Sequence, residues 1–367
     1  ALDIYGTGFG DSVNINAVEL DGAKITPFTP TTTTASGTFT NAQNGYITIT
    51  IPAAEKAGSH VITVFDNAAD KASATVQVYR PTATLSPSTD AANAPIVLSG
   101  AGWPGSDLIN VYLITGPSVT APLTATLVTG CYDITIPSSG VIPNTDCTVP
   151  TNLRFNTYNV EVTDRYDAVI APITKFNLTA SITLNTWIDQ VSTGVVAAGE
   201  PLDVYGLGFA NNIKTATIGT THLALSGSVV VTNGAFGPAT FTVPSTLSAG
   251  TYVVTVTDYG GHSASADVTV YKPTILGLSN GPPGQLEAVS GSGWEPLDTF
   301  NVYLQSGPAN NPTVNVAFCY SVTTNAAGVI TPETCTLPSI GTGTYNLVAE
   351  DGYGRVLSVV TTSFKVT

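Results

Sequence analysis

Methionine is absent from all 367 residues, histidine occurs three times, cysteine four times, and charged residues make up only 10% of the chain. The missing initiator leads us to expect a mature or excised chain from which a secretory leader has been removed. With 11 basic against 25 acidic residues the net charge is -14. Such a surface repels phosphate backbones and anionic headgroups, so nucleic acid is not an expected partner. No long apolar run is present, so no membrane-spanning helix is expected. The histidines, His60, His222 and His262, fall in different strands or turns, none beside a nucleophile elbow or a paired base. Carboxylates are scarce outside turns, which disfavours a glycosidase pair. No catalytic residue is assigned, and a non-enzymatic protein is expected.

What fills the chain instead is 43% hydrophobic residues set among Thr, Ser, Asn, 35 Gly and 24 Pro. A chain this long exceeds one ordinary core. Internal repetition supplies the division. LDIYGTGF at 2–9 returns as LDVYGLGF at 202–209, and VFDNAADKASATVQVYRPT from Val64 matches VTDYGGHSASADVTVYKPT from Val256. A different pair of segments also match: SGAGW ending at Trp103 with SGSGW ending at Trp294, and NVYLITGP from Asn110 with NVYLQSGP from Asn301. A two-module unit is therefore present twice.

Each module has a strand running into Gly-x-Gly-aromatic, alternating strands, then Tyr-x-Val-x-Val-x-Asp or a relative of it, a polar turn and a last strand. Short alternating strands punctuated by Gly, Pro, Asn and Asp read as β-sandwiches. The expected fold is all-β: four tandem immunoglobulin-like sandwich modules at 1–80, 81–179, 180–272 and 273–367. Helical periodicity is missing, apart from single turns at 53–57 and 245–249. Glycine pairs such as Gly6 and Gly8 are followed by strand or turn sequence. They read as bends or bulges, since a dinucleotide loop must open a helix. Trp103 and Trp294 occupy the place of Phe9 and Phe209 and are expected in cores, with Trp187 in the opening strand of the third module. Tyr158, Tyr252 and Tyr345 start the penultimate strands, where a tyrosine closes the corner between sheets; the first module has His60 there.

These Gly-x-Gly-aromatic openings and Val-Thr-Asp turns resemble the tandem Ig-like domains of bacterial and archaeal cell-surface proteins, of surface-layer, adhesin and extracellular-filament types. The resemblance covers nearly the whole chain and implies a fold and a surface location. It carries no functional residue.

Cys131 and Cys147 lie 16 residues apart, as do Cys319 and Cys335. Two hairpin disulfides are expected, each contributing roughly 3 kcal/mol. Zinc is the rival reading, and no further ligand stands at the required spacing. Asn177 opens an Asn-Leu-Thr acceptor for N-linked glycan. No cofactor is expected. The acidic turns, with Asp66 and Asp70, Asp164 and Asp167, Asp258, Glu350 and Asp351, are the calcium candidates. Local turn chemistry is the competing reading and is favoured, because no Asp-x-Asp-x-Asp spacing occurs.

Residues 181–187 alternate as an opening strand, and the first module has no counterpart of them. Either upstream sequence or another subunit supplies that strand. The YRPT and YKPT junctions, at 79–82 and 271–274, leave little slack, so a stiff array is expected. The function expected is a structural subunit of an extracellular filament or surface layer, self-associating into a homopolymer. A monomeric adhesin or carbohydrate-binding stalk, with ligand loops at 27–45 or 116–130, and an accessory region of a secreted hydrolase are the alternatives.

Overall fold

The computed structural model describes the chain apart from residues 29–31, 41–44, 116–124, 165–173, 187–193, 225–226, 277, 307–313, 351–355 and 360–363. Among the described residues every regular element is a β-strand. Among those residues no helix is long and apolar enough to cross a membrane. The residues form two compact units, one of 1–88, 95–148 and 158–176, the other of 89–94, 149–157 and 177–367.

The second unit shows the architecture most completely at 180–271. One sheet orders the strands Ser181–Thr186, Pro201–Leu207 and Phe236–Thr242. The other orders Val195–Ala197, Ser263–Tyr271, Gly250–Asp258, Ile213–Ile218 and Thr221–Leu223. The opening segment serves both sheets: Ser181–Thr186 lies antiparallel to Pro201–Leu207, and Val195–Ala197 runs parallel to the end of Ser263–Tyr271. Two mostly antiparallel sheets over one core, with the first strand shared between them, make an immunoglobulin-like sandwich. The alternation that predicts the strands also fills the core, because successive side chains point to opposite faces. Leu202 and Val204 from one sheet meet Val254, Val256 and Val270 from the other, all fully buried. Each such burial contributes roughly 1.5–3 kcal/mol. A separate core around Trp294, Phe300, Leu304 and Leu347 lies at 275–366. In the first unit, another gathers Phe9, Val18, Phe39, Ile47 and Val64.

Trp103 and Trp294 are each 1% exposed, which bears out their core role. Their indole Nε1 atoms donate to the carbonyl oxygens of Thr82 (2.9 Å) and Thr274 (3.0 Å), giving each buried donor a partner. The same two oxygens explain the first glycine of the motif. A Cβ on Gly100 would lie 2.0 Å from the Thr82 oxygen, and one on Gly291 would lie 2.0 Å from that of Thr274. The second glycine adopts a left-handed backbone: φ is +80° at Gly102, +82° at Gly293 and +77° at Gly208. Its missing Cβ also leaves room for a carbonyl of the incoming segment, that of Arg80, Lys272 or Thr179. The Gly-x-Gly pairs are thus a bend with a close backbone approach, and a register shift marks the first glycine at Leu98/Gly100 and Val204/Gly206.

The disulfides join Cys131 to Cys147 and Cys319 to Cys335, with Cα atoms 5.5 and 5.6 Å apart. Instead of closing one hairpin, each crosses between sheets. Cys335 lies on Glu333–Thr336, paired with Leu286–Val289, whereas Cys319 lies on Val314–Thr323, paired with Thr299–Ser306. Cys147 faces Ile96, while the carbonyl of Cys131 accepts from Val111 of the other sheet.

Residues 1–79 reproduce the third module down to its irregularities. Ile15–Leu20 pairs with Gly58–Asp66 through a shift at Ile15/Ala17, as Ile213–Ile218 pairs with Gly250–Asp258 through one at Ile213/Thr215. The opening strand is what differs. Among the described residues Leu2–Ile4 pairs with Ile47–Ile49 alone, and Lys71–Val78 ends its sheet.

Gly100→Ala is expected to lower the stability of its sandwich by about 1–3 kcal/mol, since a Cβ there forces the backbone apart. Gly341, whose Cβ would meet nothing within 4 Å, serves as the control. Urea unfolding followed by tryptophan fluorescence reads the difference. Equal midpoints would refute the close-approach account.

Candidate functional site

Three elements meet at one end of the first module. A turn closed by Glu55 N donating to the Pro52 carbonyl (3.0 Å) leads into the strand Gly58–Asp66. In the third module the equivalent turn, closed by Leu247 N on the Pro244 carbonyl (3.0 Å), leads into Gly250–Asp258. There the Tyr252 hydroxyl donates back four residues to the Ser248 carbonyl at 2.9 Å, and Tyr345 does the same to Gly341 at 2.7 Å. These are the corner bonds expected of the tyrosines. His60 takes over the task, its Nε2 lying 2.9 Å from the Lys56 carbonyl, again four residues back.

The other ring nitrogen has no counterpart in a tyrosine. His60 Nδ1 sits 2.7 Å from Asp21 Oδ2 and 3.6 Å from Glu55 Oε1. Carbonyl and carboxylate oxygens only accept, so making both bonds at once takes a proton on each ring nitrogen. The hydrogen bond to Asp21, then that to the Lys56 carbonyl, raises the His60 pKa above its ordinary value. Asp21 is held below the usual carboxylate range, first by the Val61 amide at 2.7 Å on its Oδ1 and then by His60. Asp21 occupies a turn at φ 50°, a left-handed conformation that aspartate tolerates. His60 is buried, while Asp21 is half exposed. Among the described residues this is the one group of three His, Cys, Asp or Glu side chains whose ligand atoms lie within 4.8 Å of one another. Sequence reasoning singled out His60 as the odd corner residue but did not connect it with Asp21 and Glu55, which come from separate segments.

The acidic turns are organised differently. Asp66 Oδ1 accepts from the amides of Ala68 and Asp70, both at 2.9 Å. Asp258 Oδ1 accepts from Gly260 (2.8 Å) and His262 (2.9 Å), and its Oδ2 accepts from Asn211 (3.0 Å). These carboxylates organise their own turns. Asp167 and Asp351 lie outside the described residues, as do Trp187 and most of 116–130. His262 also approaches Asp258 Oδ2 at 3.0 Å, with its ring stacked on Phe155 at 4.0 Å. Asn177 is exposed on the strand Thr174–Thr179, its amide nitrogen donating to the Thr89 hydroxyl at 3.3 Å. His222 lies on Thr221–Leu223, with no part in either histidine cluster.

A groove of about 180 Å³ runs along the first module, lined by Ile4, Phe9, Phe39, Ile62, Val64 and Ala72. It joins residues from both sheets of that module. In the third module, Ile182 and Leu184 of the opening strand are buried in the corresponding core.

Burial works against the Asp258 carboxylate, yet the bonds from His262 and from the His262 and Asn211 amides outweigh it, so its pKa lies below the ordinary value. A depressed carboxylate contributes stability that is complete above its unfolded pKa, about 3.9, and disappears as pH falls through the folded value. Thermal melts of wild type should therefore drop more steeply below about pH 4 than those of Asp258→Asn. Parallel acid profiles would contradict this.

No protein-family model matches the chain, and no curated protein matches it. Among solved structures it is similar to a tetra-tandem repeat from the extending region of a large adhesion protein, at 16% identity over 100% of this chain and 95% of that one, with a TM-score of 0.23. It is similar to invasin, a bacterial integrin-binding protein, at 13% identity over 97% and 72%, with a TM-score of 0.25. A third is SGBP-B of the Bacteroides ovatus mixed-linkage glucan utilization locus, at 15% identity over 78% and 70%, with a TM-score of 0.19. The immunoglobulin-like description of this chain stands on its own strand order.

Proposed function

We propose that this chain is a structural subunit of an extracellular assembly, a filament or surface layer, built through contacts between immunoglobulin-like modules, in which a β-strand from outside residues 1–79 completes the first module. The observation that carries the reading is a pair of matched gaps. Gly208 makes room for the Thr179 carbonyl of the incoming strand, as Gly102 and Gly293 make room for those of Arg80 and Lys272, but a Cβ on Gly8 would meet nothing within 4 Å. On the opposite sheet, the end of Ser263–Tyr271 is covered by Val195–Ala197, while no described strand pairs with the outer edge of Lys71–Val78. A single extended segment passing first along Leu2–Ile4 and then along 76–78 would close both edges and cap the apolar groove. Strand addition of this kind derives affinity from main-chain bonds and specificity from alternate side chains.

The remaining features are consistent with such a role. Sparse charge lowers the desolvation cost of packing like surfaces together. The disulfides suit an oxidising compartment outside the cell. Arg80 at the first junction donates to the carbonyls of Pro52 (3.1 Å) and Glu55 (2.8 Å), fastening the 79–82 junction to the preceding turn.

The test is electron microscopy of the purified chain with and without a peptide of residues 180–198, whose alternation matches the missing strand. Regular filaments or sheets shortened by the peptide, together with a raised melting temperature, are expected. Dispersed particles whose melting the peptide leaves unchanged would overturn the reading.

A further inference from the structure

The corner at His60 invites comparison with its duplicate, because the backbone is held constant while the chemistry changes. Asp21 N donates to the Val61 carbonyl at 2.9 Å, and Gly219 N donates to that of Val253 at 2.9 Å, so the two turns superpose residue for residue. Asp21 thus stands where the third module has Gly219, Glu55 where it has Leu247, and His60 where it has Tyr252. The third-module set needs no charge: the Tyr252 ring lies over Gly219, 3.3 Å from where a Cβ would be, and its hydroxyl closes the corner. A histidine substituting for that hydroxyl needs only the Lys56 carbonyl. It does not require two carboxylates converging on its other nitrogen.

We propose that Asp21, Glu55 and His60 form a binding site for a divalent transition metal of the zinc class. The bond from Nε2 to the Lys56 carbonyl fixes the tautomer of neutral His60, leaving the Nδ1 lone pair directed at the two carboxylates. Metal-bound histidines characteristically make this outer bond to a carbonyl or carboxylate. The Val61 amide orients Asp21 through Oδ1 and leaves Oδ2 for the ion. Glu55 Oε1 also accepts from the Lys56 amide at 3.2 Å. One imidazole nitrogen with two carboxylate oxygens suits zinc and its first-row neighbours, whereas calcium and magnesium prefer oxygen alone. Around a tetrahedral ion with bonds of about 2.0–2.1 Å, neighbouring ligand atoms stand roughly 3.3 Å apart. The 3.6 Å separation of Glu55 Oε1 from Nδ1 already allows this, and Asp21, at 2.7 Å, must retreat by about half an ångström. As Asp21 is half exposed, it is free to do so, and solvent can reach a fourth position. Without metal, the proton on Nδ1 fills the same place between the carboxylates.

The chain, stripped with a chelator, is titrated with Zn2+ by calorimetry and with Co2+ by visible absorption. One ion per chain is expected, with the d–d bands of a low-coordinate Co2+ site. Two variants that borrow the residues of the duplicate, Glu55→Leu and the pair Asp21→Gly with His60→Tyr, should keep the fold and lose affinity by roughly tenfold or more. On the unmutated chain, NMR should show Zn2+ perturbing the ring signals of His60 and leaving those of His222 and His262 in place. No uptake by the wild type, wild-type affinity in either variant, or unmoved His60 signals would overturn the site.

Discussion

A backbone carbonyl placed where a side chain would normally stand holds these sandwiches together. The Thr82 oxygen lies over Gly100 and accepts the indole of Trp103, and the Thr274 oxygen repeats both relations with Gly291 and Trp294. Because the peptide oxygen cannot be buried unpaired, and the ring nitrogen cannot either, the pair fixes the height at which the opening strand crosses the sheet. The left-handed glycine two residues on turns the chain towards the aromatic that plugs the core.

In residues 1–79 no described strand takes the place that Ser181–Thr186 holds beside Pro201–Leu207. There the aromatic Phe9 is still 7% exposed, and Phe39 fills the position over Gly6 that Phe236 fills over Gly206. Register and bulge survive, since they depend on local alternation and on Ile15–Leu20 meeting Gly58–Asp66. The sheet edges differ: among the described residues Lys71–Val78 has no counterpart of the Val195–Ala197 pairing.

The fold was legible in the sequence because a period of two, punctuated by Gly, Pro and Asp, survives in every copy. The buried tryptophans and the corner tyrosines were also legible, since repetition identified their places. The route of the disulfides was not: a 16-residue spacing is equally consistent with a hairpin and with a crossing between sheets, and only the path of the chain decides. The His60 cluster escaped for a related reason. Asp21, Glu55 and His60 converge only when two antiparallel strands and a turn are in place, and no linear spacing marks that meeting. What the sequence did carry was a histidine where its duplicate has tyrosine.

The placement of the two disulfides bears on how the chain would respond to being pulled. A sandwich without a cross-link can unravel strand by strand and release its full contour, whereas a bond between Cys131 and Cys147 withholds the loop spanned by their sequence separation of 16. At up to about 3.6 Å per residue, that is close to 60 Å of slack denied to each cross-linked sandwich. One disulfide occurs in each copy of the repeated sequence, so cross-linked and uncross-linked segments follow one another along the polypeptide. Such a chain would absorb a sudden load in its uncross-linked parts while the stapled ones limited how far it lengthened.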